Sequence, residues 1–178
     1  MFFILLLSIF NIYAMQSDPI AIYGDYEIIE ENCINILSPT ILHFEKFNVD
    51  KNEVVNIIQK DKNSSLYIQV DEKISIEGRV TSNGRIALYS PSGITFHKES
   101  LVEANDFIAT TLEISKQSFI DSPTGKWFYS GNSEYTIVNE GKIIVNDGNV
   151  RLVSYHVQND GILQSKKGMI LINSLLDF

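Results

Sequence analysis

A spaced repeat near the C-terminus limits the folds open to this chain more than any other feature. Asn139-Glu140-Gly141 recurs as Asn159-Asp160-Gly161, and Gly148 recurs as Gly168, each pair 20 residues apart. The apolar positions keep the same register: Ile143 aligns with Leu163, Val150 with Ile170 and Leu152 with Ile172, while Val138 against Gln158 is a mismatch. A period of about 20 residues, with short β-prone runs and glycine corners, is the pattern of a solenoid. No leucine-rich pattern with a helical arm accompanies it. The repeat therefore predicts an all-β chain wound as a right-handed parallel β-helix. Each coil of such a stack advances about 4.8 Å, and its inward residues form ladders.

The same grammar runs through residues 74–114. Ile86 and Leu88 face away from Arg85, Ala87 and Tyr89; the break Ser90-Pro91-Ser92-Gly93 follows; then Ile94 and Phe96 alternate with Thr95. Period-two alternation between Gly, Asn, Ser and Pro reads as strands of a half-buried sheet. The runs are about 3–5 residues long, too short for a sheet unless they stack on similar strands of neighbouring coils. Residues 18–36 alternate loosely about the Gly24-Asp25 turn and read as an N-terminal cap. An open coil would otherwise expose backbone edges and apolar surface. In residues 52–59, Val54, Val55, Ile57 and Ile58 could form one helical face, but the β-branched run favours a strand. Residues 61–65 are a polar loop. From Phe119 to Tyr135 the periodicity fades around the turn at residues 121–125. Trp127-Phe128-Tyr129, the polar run 130–133 and Tyr135 read as an extra-helical β-hairpin whose aromatics pack back on the body. A sugar-stacking platform is the alternative reading.

With 178 residues, 44% hydrophobic and 20% charged, the chain has the length and balance of one domain with a real core. Its net charge of −8 leaves no basic stripe for nucleic-acid phosphates or for an anionic membrane surface. Residues 2–12 are nearly all apolar and Ala14 offers a small residue for cleavage. A membrane span needs roughly 20 residues, so this segment reads as a signal peptide over residues 1–14, with a mature domain over 15–178 and no stable membrane insertion.

Chemistry is sparse. The lone cysteine, Cys33, has no disulfide partner in the chain and reads as a small buried side chain. His43, His97 and His156 lie in unrelated contexts without metal-ligand spacing. The acidic pairs Glu30-Glu31 and Asp71-Glu72 occupy adjacent strand positions, which face opposite ways. The glycine-rich turns lead into strands rather than helices, unlike a phosphate-binding loop. Gly84 and Gly93 read as corner residues. No catalytic residue, cofactor or metal is expected.

Five short stretches, in order and spacing, carry a resemblance. They are Phe47-Asn48-Val49 with Asn52-Glu53, Ile76-Glu77-Gly78, Ser82-Asn83-Gly84, Ser90-Pro91-Ser92-Gly93-Ile94-Thr95-Phe96 and Ile108-Ala109-Thr110-Thr111-Leu112-Glu113-Ile114. Over roughly residues 20–172 the chain resembles the N-terminal secretion domain, or haemagglutination activity domain, of filamentous haemagglutinin-like two-partner secretion exoproteins. The family usually has Asn-Pro-Asn-Gly where this chain has Ser90-Pro91-Ser92-Gly93. Serine still makes a side-chain-to-backbone turn, more weakly than asparagine.

The resemblance implies a β-helix exported through the periplasm, then secreted or held at the cell surface. The expected partner is an outer-membrane β-barrel transporter, which reads the domain through its periplasmic domains. The domain is expected to act as a monomer and to nucleate β-helix folding outside the cell. The implied recognition motif is Asn83, Gly84, Ser90, Pro91, Ser92, Gly93 and Ile94, with the serine hydroxyls of the corner exposed. The downstream repeat region of such exoproteins does not follow within the 178 residues. The rival reading is a surface adhesin for host carbohydrate or protein; a β-helix polysaccharide lyase or hydrolase is a more distant one.

Overall fold

The computed structural model describes residues 18–122 and 126–174; the expected signal peptide lies outside them. Three strands recur in each turn of the chain. The first coil has β3 (Cys33–Ile36), β4 (Thr40–Phe44) and β5 (Asn48–Val49), after two N-terminal strands, β1 (Ile20–Tyr23) and β2 (Tyr26–Glu30). The second has β6 (Val54–Gln59), β7 (Ser65–Val70) and β8 (Ile74–Ile76). The third has β9 (Arg79–Ser82), β10 (Arg85–Tyr89) and β11 (Ile94–Phe96). The fourth begins with β12 (Leu101–Ala104) and β13 (Asp106–Thr110). It leaves the stack through β14 (Glu113–Ile114), α1 (Lys116–Asp121) and β15 (Tyr129–Ser130), and returns at β16 (Thr136–Asn139). The fifth has β17 (Lys142–Val145), β18 (Val150–Ser154) and β19 (His156–Asn159), and β20 (Ile162–Ser165) and β21 (Ile170–Ser174) begin the sixth.

Like strands stack on like. One seven-stranded sheet runs β1-β4-β7-β10-β13-β18-β21, another β2-β3-β6-β9-β12-β17-β20, and a five-stranded sheet joins β5, β8, β11, β16 and β19. Every coil-to-coil pairing is parallel, which makes the chain the expected parallel β-helix, with about six turns. Only the N-terminal end departs: β1 runs antiparallel to β4, and β2 antiparallel to β3. Residues 54–59 form a strand, as the β-branched run favours.

The repeat maps onto this register position by position. Ile143 pairs with Leu163, Val150 with Ile170 and Leu152 with Ile172. The ladders run on to the other end. Leu42, Ile68, Leu88, Ala109, Leu152 and Ile172 form one row. Each ladder residue turns its apolar surface to the interior, and all but Ile172 at the far end are shielded by neighbours above and below. Each fully buried Leu or Ile contributes about 1.5–3 kcal/mol.

The excursion differs from expectation. It contains a helix where a hairpin was expected, and its two antiparallel strands pair Glu113 with Ser130 and Ile114 with Tyr129. Ser115 caps α1, its Oγ accepting from the Ser118 amide at 3.3 Å. The aromatics do pack back. Trp127 is buried, its ring 5.2 Å from Phe119, and Phe119 lies 6.0 Å from Tyr67. The excursion thereby roofs an outward row of the first sheet, Ile41, Tyr67, Ala87 and Ile108, and creates a second core outside the coil. Phe128 and Tyr135, by contrast, are exposed. Among the described residues, no helix is long and apolar enough to cross a membrane.

Candidate functional site

The corner between β10 and β11 is built from backbone outward. Pro91 sets φ at the turn entry, and Gly93 adopts φ +100°, a region that favours glycine. The Gly93 amide donates to the Ser90 carbonyl at 3.3 Å, closing the turn. The Ser90 hydroxyl accepts from the Ser92 amide at 3.1 Å and donates to the Glu72 carbonyl at 2.8 Å. The Ser92 hydroxyl donates to the Asp71 carbonyl at 3.0 Å. The two serines thus bind this corner to the equivalent corner one coil earlier. From the other side, Ser133 Oγ donates to the Pro91 carbonyl at 3.1 Å, and a Cβ on Gly93 would stand 3.1 Å from the Thr136 carbonyl.

One expectation is corrected here. Ser90 is fully buried, so its hydroxyl is not on the surface. Stacked coils need their corner carbonyls satisfied, and Ser90 does this for Glu72. Gly93 and Ile94 are also buried, and Ile94 and Phe96 enter the core, with Phe96 edge-on to Phe107 at 6.0 Å. What the corner shows to solvent is Pro91 and Ser92, both half-buried, beside the exposed Asp71, Glu72 and Lys73.

Asn83 and Gly84 form a different corner at the opposite end of β10, roughly 15–20 Å away along the strand. Asn83 grips the preceding coil with both ends of its amide: Oδ1 accepts from the Gln59 amide and Nδ2 donates to the Gln59 carbonyl, each at 2.7 Å. A Cβ on Gly84 would collide with the Gln59 side chain, so glycine is needed there for close approach. The structure therefore does not gather the seven motif residues into one patch. Asn83 is exposed and Gly84 is buried.

The stacking also makes pairs that no local spacing signals. His97 Nε2 lies 3.0 Å from Ser75 Oγ, one coil apart, and no carboxylate hydrogen-bonds the His97 ring among the described residues. His43 lies 3.0 Å from Asp71, directly behind the serine corner. Burial, with Glu30 adding to it, pushes the Cys33 thiol up. No group of three His, Cys, Asp or Glu side chains converges to hold a metal among the described residues. The largest feature that sequence reasoning missed is the Asp106–Arg151 ion pair beneath the excursion, whose members stand 45 residues apart. A long gap without periodicity gives no sign of it.

Sheets closed into a stack, an N-terminal cap and corners that fasten coil to coil define a parallel β-solenoid domain with its distinctive surface at its corners. The family of TPS (two-partner secretion) secretion domains matches residues 32–177, and the chain belongs to that family. The crystal structure of the HMW1 secretion domain from Haemophilus influenzae superposes with a TM-score of 0.78 at 28% identity, over 87% of this chain and 44% of that one. The heme/hemopexin-binding protein of Haemophilus influenzae is 26% identical over 122 residues, 67% of this chain and 13% of that protein. The chain thus spans under half the length of either relative.

Proposed function

We propose that the domain is the export address and folding nucleus of a two-partner secretion exoprotein. Membership of the family implies a transporter partner in general. In this reading the partner is an outer-membrane β-barrel whose periplasmic domains read the exposed part of the proline corner, Pro91 and Ser92, with Asn83 as a second point on the same coil. Residues 1–14 direct the chain to the periplasm.

The observation that carries the nucleus role is the polarity of the stack. The N-terminal end is closed by antiparallel strands, whereas the far end presents the parallel edges of β19, β20 and β21. Ile162, Ile170 and Ile172 are 45–50% exposed there. In a solenoid, where stability is a sum of coils and their nearest-neighbour interfaces, further parallel coils can then be added at the far end but not at the capped one. Outside the cell this directional folding also draws the chain through the pore without ATP.

Secretion in a host carrying the cognate transporter tests the address. Ser92→Ala with Pro91→Ala should lower the extracellular yield while the purified variant keeps its melting temperature within a few degrees, because both side chains are half-exposed and Ser92 makes a single surface hydrogen bond. Undiminished secretion would remove the recognition role from this corner.

A further inference from the structure

We propose that the open end of the stack accepts a further β-coil of one sequence type, Asn-x-Gly with a second glycine seven residues on, and that the side chain of Asn159 sets its register. The proposal rests on the folding-nucleus reading above and names what that nucleus selects.

The inward row of the five-stranded sheet changes character along the stack. It begins Val49, Ile76 and Phe96 and then becomes Asn139 and Asn159. Asn139 is completely buried. Its Nδ2 donates to Asn159 Oδ1 at 2.7 Å, so the two amides form the first rung of a ladder directed toward the open end. Asn159 Nδ2 is the next donor in line. A β-coil arriving one step later would bury that donor, and only an acceptor at the same height satisfies it. An apolar residue there leaves it orphaned, and a slip by one residue turns the incoming side chain away from it.

The glycines narrow the choice further. A Cβ on Gly161 would collide with the Gly141 carbonyl, and one on Gly168 with the Gly148 carbonyl. The corners of successive coils lie so close that a side chain cannot stand between them. A coil laid on Gly161 and Gly168 in the same way needs glycine at the same two heights. The apolar part of the template is unselective by comparison, since Ile162, Ile170 and Ile172 offer only a surface to cover. A second copy of this domain cannot continue the stack in parallel, because its N-terminal end is already closed by β1 and β2.

The test extends the full chain. Appending a second copy of residues 159–178 directly after Phe178 places an asparagine 20 positions beyond Asn159. A second extension carries leucine instead of that appended asparagine. Hydrogen exchange is then read at the amides of β19, β20 and β21. The asparagine extension is expected to slow exchange of the outward-facing edge amides by about tenfold or more, and the leucine extension to lose most of that gain. Equal protection by both extensions would overturn the register role of Asn159 and leave the nucleus reading standing. No protection from either would overturn both. The unextended chain is expected to sediment as a monomer; a concentration-dependent dimer that protects the same amides would assign the open end to a second copy and overturn the proposal.

Discussion

Arg151 and Asp106 form a two-pronged ion pair between adjacent strands of the first sheet, Arg151 Nη2 standing 3.0 Å from Asp106 Oδ1 and 3.1 Å from Oδ2. The chain between these strands includes the whole excursion together with β16 and β17, so the pair fastens two coils that sequence holds far apart. Asp106 Oδ2 also accepts from the Asn149 amide at 2.9 Å. Both side chains are well shielded, at 15% and 7% exposure. Removing one partner leaves a desolvated charge, which costs roughly 3–5 kcal/mol. Asp106→Asn and Arg151→Met are each expected to destabilise strongly in urea unfolding, and the double replacement by less than the sum of the two. Additive losses would mean that the two side chains act independently.

The buried phenol of Tyr67 makes the excursion sensitive to alkali. Burial holds the Tyr67 pKa well above its ordinary value of 10.0, opposed by hydrogen bonds involving Gln69 and the Ile114 amide, which donates to Tyr67 Oη at 3.0 Å. The unfolded chain therefore loses this proton first. Stability from the neutral phenol is fully present below pH 10.0 and falls as pH rises above it, by up to about 1.4 kcal/mol per pH unit for one proton. Tyr67→Phe is expected to lose about 1 kcal/mol at neutral pH with the hydrogen bond, and to flatten the alkaline slope. Denaturant midpoints from about 2 units below to about 1 unit above the phenol's ordinary value check this; an unchanged slope would contradict it.

The two serines of the proline corner should separate in effect. Ser90→Ala strips the Glu72 carbonyl and the Ser92 amide of the buried Ser90 hydroxyl that serves both, and about 1–3 kcal/mol is expected to go with it. Ser92→Ala removes a bond at the surface and should cost less than about 1 kcal/mol. Thermal unfolding of the two variants side by side measures the difference. Equal losses would mean that Ser90 is not the fastening this geometry implies.

Much of this was legible in the chain. The 20-residue spacing foretold the coil, its inward rows and the pairing of Asn139 with Asn159, because a stack repeats its steric demands at every turn. The loose alternation before residue 36 marked a cap, though not that its strands run antiparallel. Where the repeat stops, so did legibility. α1 is one and a half turns long, too brief for a 3.6-residue period to show, and its capping serine looks like any other loop serine. The roof over Ile41, Tyr67, Ala87 and Ile108 hid because those rows read as an outer face, and only the excursion buries them. Ser90 was misplaced for a related reason: a polar corner residue reads as exposed until a neighbouring coil lies against it.

Cleavage after the apolar N-terminal run proposed as an export signal is an independent check on export. Mass spectrometry of the protein recovered outside its native host cell should show a chain shortened by residues 1–14. An intact N-terminus on the exported protein would contradict cleavage near Ala14.

In the proposed function a transporter reads this domain at the exposed side of the proline corner. Titration of the purified mature domain against the soluble periplasmic domains of its cognate transporter measures this recognition. Saturable one-to-one binding is expected, weakened about tenfold, or ~1.4 kcal/mol, by Ser92→Ala combined with Pro91→Ala in a domain that remains folded. Absence of binding by the wild-type domain, or equal affinity for wild type and variant, would contradict it.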